Sequence, residues 1–185
     1  MAGERKQQIL QTLAKMLEAP KREKITTAAL AAKLEVSEAA LYRHFANKAQ
    51  MFEGLIAFIE ETIFGLINKI SSEETEGLRQ GHRTITMLLL FAEKNPGMTR
   101  VLIGDALVNE DEKLQLRINQ LYDRIEVTLK QSLRIAETQS GKAGNAEAQA
   151  NMIICYVIGR WQQYAKSGFK RKPTEFVVQQ LSNLL

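Results

Sequence analysis

Apolar residues repeat at helical spacing along most of the chain. The first such stripe runs through residues 4–18 and consists of Ile9, Leu13, Met16 and Leu17. Pro20 and the charged KREK run after it predict the end of this helix. Only three prolines occur, and runs of β-branched residues with strict polar alternation are missing. The pattern therefore predicts an all-α protein.

Two short helices joined by a tight turn are predicted next. Thr26 or Thr27 is predicted to cap the first of these helices, which has one apolar side. Residues 34–36 are predicted to form the turn that follows this helix. Ser37 then caps a second short helix, predicted from Glu38 to Phe45. Two short helices with a three-residue link form a helix-turn-helix, in which the second helix enters the major groove of DNA.

The rest of the chain reads as a helical body. Asn47 is predicted to cap a long helix that reaches Ile70. Further helices are predicted at 76–94, 98–108, 110–137, 146–166 and 174–184, with a strong breaker at residues 95–97. We expect residues 1–48 to form a three-helix DNA-binding domain and residues 49–185 to form a C-terminal helical domain for dimerisation and partner binding.

Charge supports this division of the chain. The net charge is +4, and residues 1–50 hold nine Lys/Arg against five acidic residues, whereas the remainder is balanced. A local positive field suits a polyanion such as DNA or an anionic membrane surface. The first residues contain no apolar signal-peptide stretch, and no window resembles a membrane span. We therefore expect a cytoplasmic protein.

The predicted recognition helix has the side chains that close approach to base pairs requires. Ala39 and Ala40 are small enough to touch a thymine methyl group, and Arg43 can reach a phosphate or a guanine edge. Threonines at a helix N-terminus favour phosphate. The candidate DNA contacts are Thr26, Thr27, Ser37, Glu38, Ala39, Ala40, Tyr42, Arg43, His44 and Lys48.

Catalysis finds little support in the sequence. The two histidines are His44, in the recognition helix, and His82, which has no partner for a triad or a metal cluster. Glycine-rich loops that hold phosphate are missing. No enzyme activity, metal or cofactor is expected. The single cysteine, Cys155, is predicted to be a small buried apolar residue.

The helix-turn-helix resembles the DNA-binding domain of the TetR family. The shared pattern is Thr-Thr-x-x-Leu-Ala followed by Val-Ser-x-x-x-Leu-Tyr-x-His-Phe-x-Asn-Lys. The resemblance implies a TetR-like homodimer that binds palindromic double-stranded DNA. The family usually has glycine in the turn where this chain has Glu35. A left-handed backbone there costs a non-glycine residue about 1 kcal/mol.

Four longer stretches, SEAALYRHF, LIAFIEETI, EKNPGMTR and RINQLYDRIE, are similar to a branch of the TetR family that acts in nucleoid occlusion. This resemblance implies a nucleoid-associated protein that contacts the division protein FtsZ when bound to DNA and blocks division over the chromosome. It also implies a partner groove at Phe58, Met87, Leu90, Lys94 and Asn95. Because the long helix that reaches Ile70 is apolar on more than one face, we also expect Phe58 to be partly exposed.

Two further expectations follow from the TetR resemblance. The helices that pair subunits in this family correspond to residues 146–166 and 174–184, so the expected dimer interface consists of Ile154, Val157, Ile158, Trp161, Phe176, Val177 and Leu181. The alternative function is a ligand-responsive transcriptional repressor. Its effector pocket would be lined by Tyr122, Tyr156, Trp161 and Gln162, which otherwise belong to the core and the interface.

Overall fold

The computed structural model describes residues 2–19, 25–108 and 110–185, and every regular element in these ranges is helical. The helices are α1 (Ala2–Met16), α2 (Thr27–Lys33), α3 (Glu38–Tyr42), α4 (Lys48–Glu73), α5 (Gly77–Lys94), α6 (Pro96–Leu102), α7 (Glu112–Ser140), α8 (Ala146–Lys166) and α9 (Val177–Leu184), with a 3-10 turn at Asp105–Leu107. The all-α prediction is confirmed. None of these helices combines the length and apolar content that crossing a membrane requires. The predicted break at residues 20–24 lies outside the described residues.

Helices α1, α2 and α3 share a small core with the start of α4. Ile9, Leu13, Leu30 and Leu41 are each 1% exposed. Burial of such side chains stabilises by about 1.5–3 kcal/mol each. The stripe that helical spacing predicts for the first helix therefore faces inward and holds the short helices in place.

The turn between α2 and α3 contains the predicted left-handed residue. Glu35 has φ +55°, which confirms that the backbone here adopts the conformation usually given to glycine. The N–H of Val36 donates to the carbonyl of Ala31 at 3.0 Å, which closes the turn. Helix α3 ends at Tyr42, three residues earlier than predicted, because the next residues form a tighter turn before the extended cap at Asn47.

The body packs α7 against α5 and α8, and α4 against α1, α5 and α7. Helix α4 is apolar on several faces because it has neighbours on several sides. Trp161 of α8 is fully buried, and its indole N–H donates to the carbonyl of Leu88 in α5 at 3.1 Å. One continuous core thus joins the three N-terminal helices to the body.

Three predicted helix boundaries are corrected. The Asn95-Pro96-Gly97 breaker ends α5 but also begins α6, because proline at the first helical position has no N–H that needs a partner. The segment predicted at 98–108 divides after Leu102, since Gly104 adopts φ +75°. The last helix begins at Val177 instead of 174, since Phe176 has φ +62°.

Candidate nucleic-acid interface and partner groove

The hydroxyl groups of Thr26 and Ser37 begin the two short helices. Thr26 Oγ1 accepts a hydrogen bond from the N–H of Ala29 at 3.1 Å, and Ser37 Oγ accepts one from the N–H of Ala40 at 3.3 Å. Both residues are exposed. Because each oxygen acts as an acceptor in the cap, each hydroxyl hydrogen stays available to a phosphate oxygen.

Three of the candidate DNA contacts form one hydrogen-bonded cluster on the surface. Tyr42 donates its hydroxyl to Thr27 Oγ1 at 3.3 Å, and Thr27 donates to Glu38 Oε2 at 2.6 Å. The cluster ties the first turn of α2 to both ends of α3. It stabilises the angle between the two helices, while Tyr42 stays 45% exposed.

The other candidate contacts on α3 also avoid the core. Ala39 and Arg43 are exposed, and Ala40 and His44 are partly buried. A helix with alanines beside exposed tyrosine and arginine side chains fits the major groove closely and reaches the phosphates on either side. This arrangement can read DNA, and the individual contacts stay a prediction.

Lys48 begins α4, directly after the Asn47 cap. Its side chain is 21% exposed and forms an ion pair with Glu110, whose side chain is 13% exposed. The ammonium group also lies 5.6 Å from the centroid of the Phe52 ring. Sequence reasoning missed Glu110, because it is 62 residues away along the chain and no periodic pattern connects the two positions.

A groove of about 640 Å³ lies between α4 and α5. It is lined by Phe58, Thr62, Leu66, His82, Arg83, Thr86, Met87, Leu90, Phe91, Lys94 and Asn95. The structure therefore brings together all five residues that the resemblance implied for a partner site. Phe58 is partly buried, which confirms its expected partial exposure. The lining is mainly apolar, and the exposed side chains of His82, Arg83 and Lys94 lie at its rim, where Arg83 also pairs with Glu73 at 2.9 Å.

Sequence reasoning missed Thr62 of the lining, which a spacing argument would have found. Thr62 and Leu66 follow Phe58 at steps of four on α4. Thr62 donates its hydroxyl to the carbonyl of Phe58 at 2.8 Å. Thr86, in contrast, has a buried Oγ1 with no hydrogen-bond partner in the described part of the chain.

The comparisons with known proteins match both the DNA-binding helices and the body. Residues 22–55 match the model described as bacterial regulatory proteins of the tetR family, and residues 77–185 match the SlmA-like model described as a tetracyclin repressor-like C-terminal domain. The nucleoid occlusion factor SlmA of Alteromonas mediterranea is 54% identical over 173 residues, which cover 92% of this chain and 89% of the relative. SlmA of Shewanella halifaxensis is 48% identical, covering 96% and 94%.

The chain belongs to the SlmA family of nucleoid occlusion factors.

Solved structures confirm the TetR-like fold of this SlmA-family chain. The TetR-family regulator PfmR from Thermus thermophilus superimposes with a TM-score of 0.78 at 20% identity, covering 96% of both chains. A TetR transcription regulator from Haloarcula marismortui superimposes with a TM-score of 0.80 at 16% identity, covering 98% of this chain and 96% of that one. At these identities the likeness concerns the fold alone.

The expected dimer interface of the SlmA-family chain is corrected at four positions. Ile154 is 3% exposed, and Val157, Trp161 and Leu181 are fully buried in the protomer's own core. A side chain that is already buried cannot present contact surface to a second subunit. Ile158 and Val177 are partly buried, and Phe176 is 60% exposed, so these three stay candidates.

The outer face of α8 and α9 offers other apolar side chains. Met152 on α8 is 47% exposed and Val178 on α9 is 68% exposed, and the Cys155 side chain on α8 is exposed as well. The prediction that Cys155 is buried is therefore wrong. The apolar stripe of α8 that faces the core runs through neighbouring positions, and Cys155 lies outside it.

The tyrosines that were candidates for lining an effector pocket in the SlmA-family body form hydrogen bonds within the protein. Tyr122 donates its hydroxyl to the carbonyl of Leu102, and Tyr156 donates to the side-chain oxygen of Gln180 at 2.7 Å. Burial raises the pKa of Tyr122 far above its ordinary value of 10.0. Tyr122 and Trp161 thus pack as core residues, and Gln162 is partly buried.

Proposed function

We propose that this protein is a sequence-specific DNA-binding nucleoid occlusion factor that, when bound to DNA, inhibits assembly of the FtsZ ring. In this proposal it acts as a homodimer on palindromic sites and is associated with the nucleoid in the cytoplasm. Residues 1–48 bind DNA, and residues 49–185 provide dimerisation and partner binding. The observation that carries the proposal is the groove between α4 and α5, whose lining includes Phe58, Met87, Leu90, Lys94 and Asn95.

The DNA-binding part of the proposal rests on the exposed face of α3. Its small side chains approach base edges, while the hydroxyl groups of Thr26 and Thr27, together with Tyr42, His44 and Lys48, contact phosphates. Phosphate contacts position a protein on the duplex without specifying sequence. A dimer would read two half-sites about one helical turn apart, or a multiple of that spacing.

The partner-binding part rests on the chemistry of the groove. An apolar floor with Lys94 and the Glu73-paired Arg83 at its rim suits a short peptide segment that carries apolar side chains and an acidic group. We assign this occupant to a tail segment of FtsZ, the division protein that the sequence resemblance implies for a chain whose relatives are named as nucleoid occlusion factors.

A sedimentation assay of FtsZ polymers tests the proposal. FtsZ with GTP is mixed with this protein in the presence or absence of a palindromic duplex selected from genomic fragments. Less polymer should pellet only when that duplex is present. Equal pelleting with and without the duplex would instead favour a transcriptional repressor with no division partner.

Two single substitutions in the same assay test whether inhibition of FtsZ depends on the groove or on apolar surface residues in general. Phe58→Ala should abolish inhibition of FtsZ while DNA binding persists, because it removes one of the two phenylalanine rings that line the groove. Leu116→Ala is the matched control, since Leu116 is a 58% exposed apolar residue on α7 outside this groove. If the Phe58→Ala variant inhibited FtsZ assembly as strongly as the Leu116→Ala variant, the groove between α4 and α5 would not be the FtsZ-binding site.

A further inference from the structure

The ion pair between Lys48 and Glu110 joins the DNA-binding end of the chain to the body. Lys48 is the first residue of α4, immediately after the helix-turn-helix, and Glu110 lies just before α7. Both side chains are mostly covered, at 21% and 13% exposure. A pair shielded in this way is screened less by salt than one at the open surface.

This pairing competes with the role proposed for Lys48 on DNA. A carboxylate and a phosphate are both anionic acceptors for the same ammonium group. While Glu110 neutralises Lys48, the positive charge offered to a DNA phosphate at this position is reduced. A contact to phosphate then requires the lysine either to leave Glu110 or to divide its three N–H donors between two anions.

We propose that Glu110 is a positioning residue that acts through Lys48: it holds the ammonium group on the body in DNA-free protein and lowers the affinity for duplex DNA of any sequence. The inference rests on the proposed function, in which Lys48 contacts a phosphate. Because phosphate contacts carry no sequence information, the effect is the same for specific and random duplexes.

Fluorescence anisotropy with a labelled random-sequence duplex of about three helical turns tests the inference without knowledge of the operator. Glu110→Gln should tighten binding about two- to fivefold, the range that a released ion pair of this kind supplies. Glu112→Gln is the matched control, since Glu112 is an exposed acid two residues away and its substitution removes the same charge.

A double substitution isolates the route through Lys48. Lys48→Ala should weaken binding and lower the salt dependence by about one counterion. In the Lys48→Ala background, Glu110→Gln should tighten binding no more than Glu112→Gln does. Tightening that persists without Lys48 would overturn the inference, because it would show a general charge effect.

Thermal denaturation separates this role from a structural one. Glu110→Gln removes a mostly covered ion pair, so the melting temperature should fall while DNA affinity rises. A loss of both stability and affinity would show a structural role and overturn the inference. If the wild-type chain binds no duplex, the proposed function itself fails; if Lys48→Ala weakens binding but Glu110→Gln does not exceed Glu112→Gln, only this inference fails.

Discussion

Replacement of Glu35 by glycine should stabilise the protein, although it removes a side chain. Glu35 occupies the turn between α2 and α3 with φ +55°, a conformation in which the Cβ atom of an L-residue crowds the backbone. Its side chain is exposed, so truncation removes little packing. The effect of the substitution therefore reports on the backbone alone.

The magnitude follows from two opposing contributions. Relief of the left-handed conformation is worth about 1–2 kcal/mol. Glycine has more conformational freedom in the unfolded chain, and this lowers the free energy of unfolding by about 0.5–1 kcal/mol. The midpoints of these two ranges leave a net increase in the free energy of unfolding of about 0.75 kcal/mol, which for a chain of this size raises the melting temperature by about 1.5–3 °C.

Differential scanning calorimetry at one fixed protein concentration measures the change, because the stability of a dimer depends on concentration. Glu35→Ala is the control, since it removes the same carboxylate but keeps the Cβ atom and the strain. We expect Glu35→Gly to melt above both wild type and Glu35→Ala. A glycine variant that melts at or below the alanine variant would refute the strain argument.

Three further substitutions test particular contacts. Thr86→Val should raise the free energy of unfolding in urea by about 1 kcal/mol, because it removes a buried hydroxyl oxygen that has no hydrogen-bond partner among the described residues. Gly97→Ala should lower it by about 3 kcal/mol, since the new Cβ would lie 1.9 Å from the carbonyl oxygen of Ala14. For Glu93→Gln, the stability deficit relative to wild type should shrink as the pH falls below about 4.5, measured by thermal denaturation across pH.

The sign of the pH effect follows from the surroundings of Glu93. Partial burial acts to raise the pKa of its carboxyl group, but hydrogen bonds from Thr174 and Lys172 and the charge of Lys172 together lower it. Because the pKa of Glu93 is lower in the folded state, its ionised carboxylate stabilises the fold at pH values above the ordinary pKa of 4.5. This stabilisation is lost as the pH falls through the folded-state pKa. A deficit that grows in acid would contradict this assignment.

Matched controls exist for the other two substitutions. Thr62→Val removes a groove hydroxyl that already donates to the carbonyl of Phe58, so it should not stabilise the protein as Thr86→Val does. Gly65→Ala adds a Cβ on α4 where no atom lies within 4 Å, and it should be neutral or stabilising. Equal responses within either pair would contradict the stated contact.

Local patterns predicted the parts of the fold that local physics determines. Helical spacing placed Ile9 and Leu13 toward the core, and the capping residues Ser37 and Asn47 begin α3 and α4 as expected. The left-handed backbone at Glu35 was implied by the resemblance to the TetR family, in which this turn usually contains glycine. Each of these features depends on residues close together in the sequence.

The corrected features depend on which helices become neighbours. Helix α8 carries apolar residues on two faces, and spacing alone does not say which face meets the protomer's own core. Trp161 faces inward, whereas Cys155 faces out. The same reason hid the pairing of Lys48 with Glu110, which exists only because the start of α4 lies beside the start of α7.

The proposed function requires that α3 reads base pairs, and substitution of the exposed Ala39 tests this most directly. Anisotropy titrations would compare wild type with Ala39→Leu on a duplex selected from genomic DNA and on a random duplex of equal length. The bulky side chain should weaken binding to the selected site at least about tenfold, as a lost base contact does, and change random binding little. Equal losses on both duplexes would show that α3 does not read sequence.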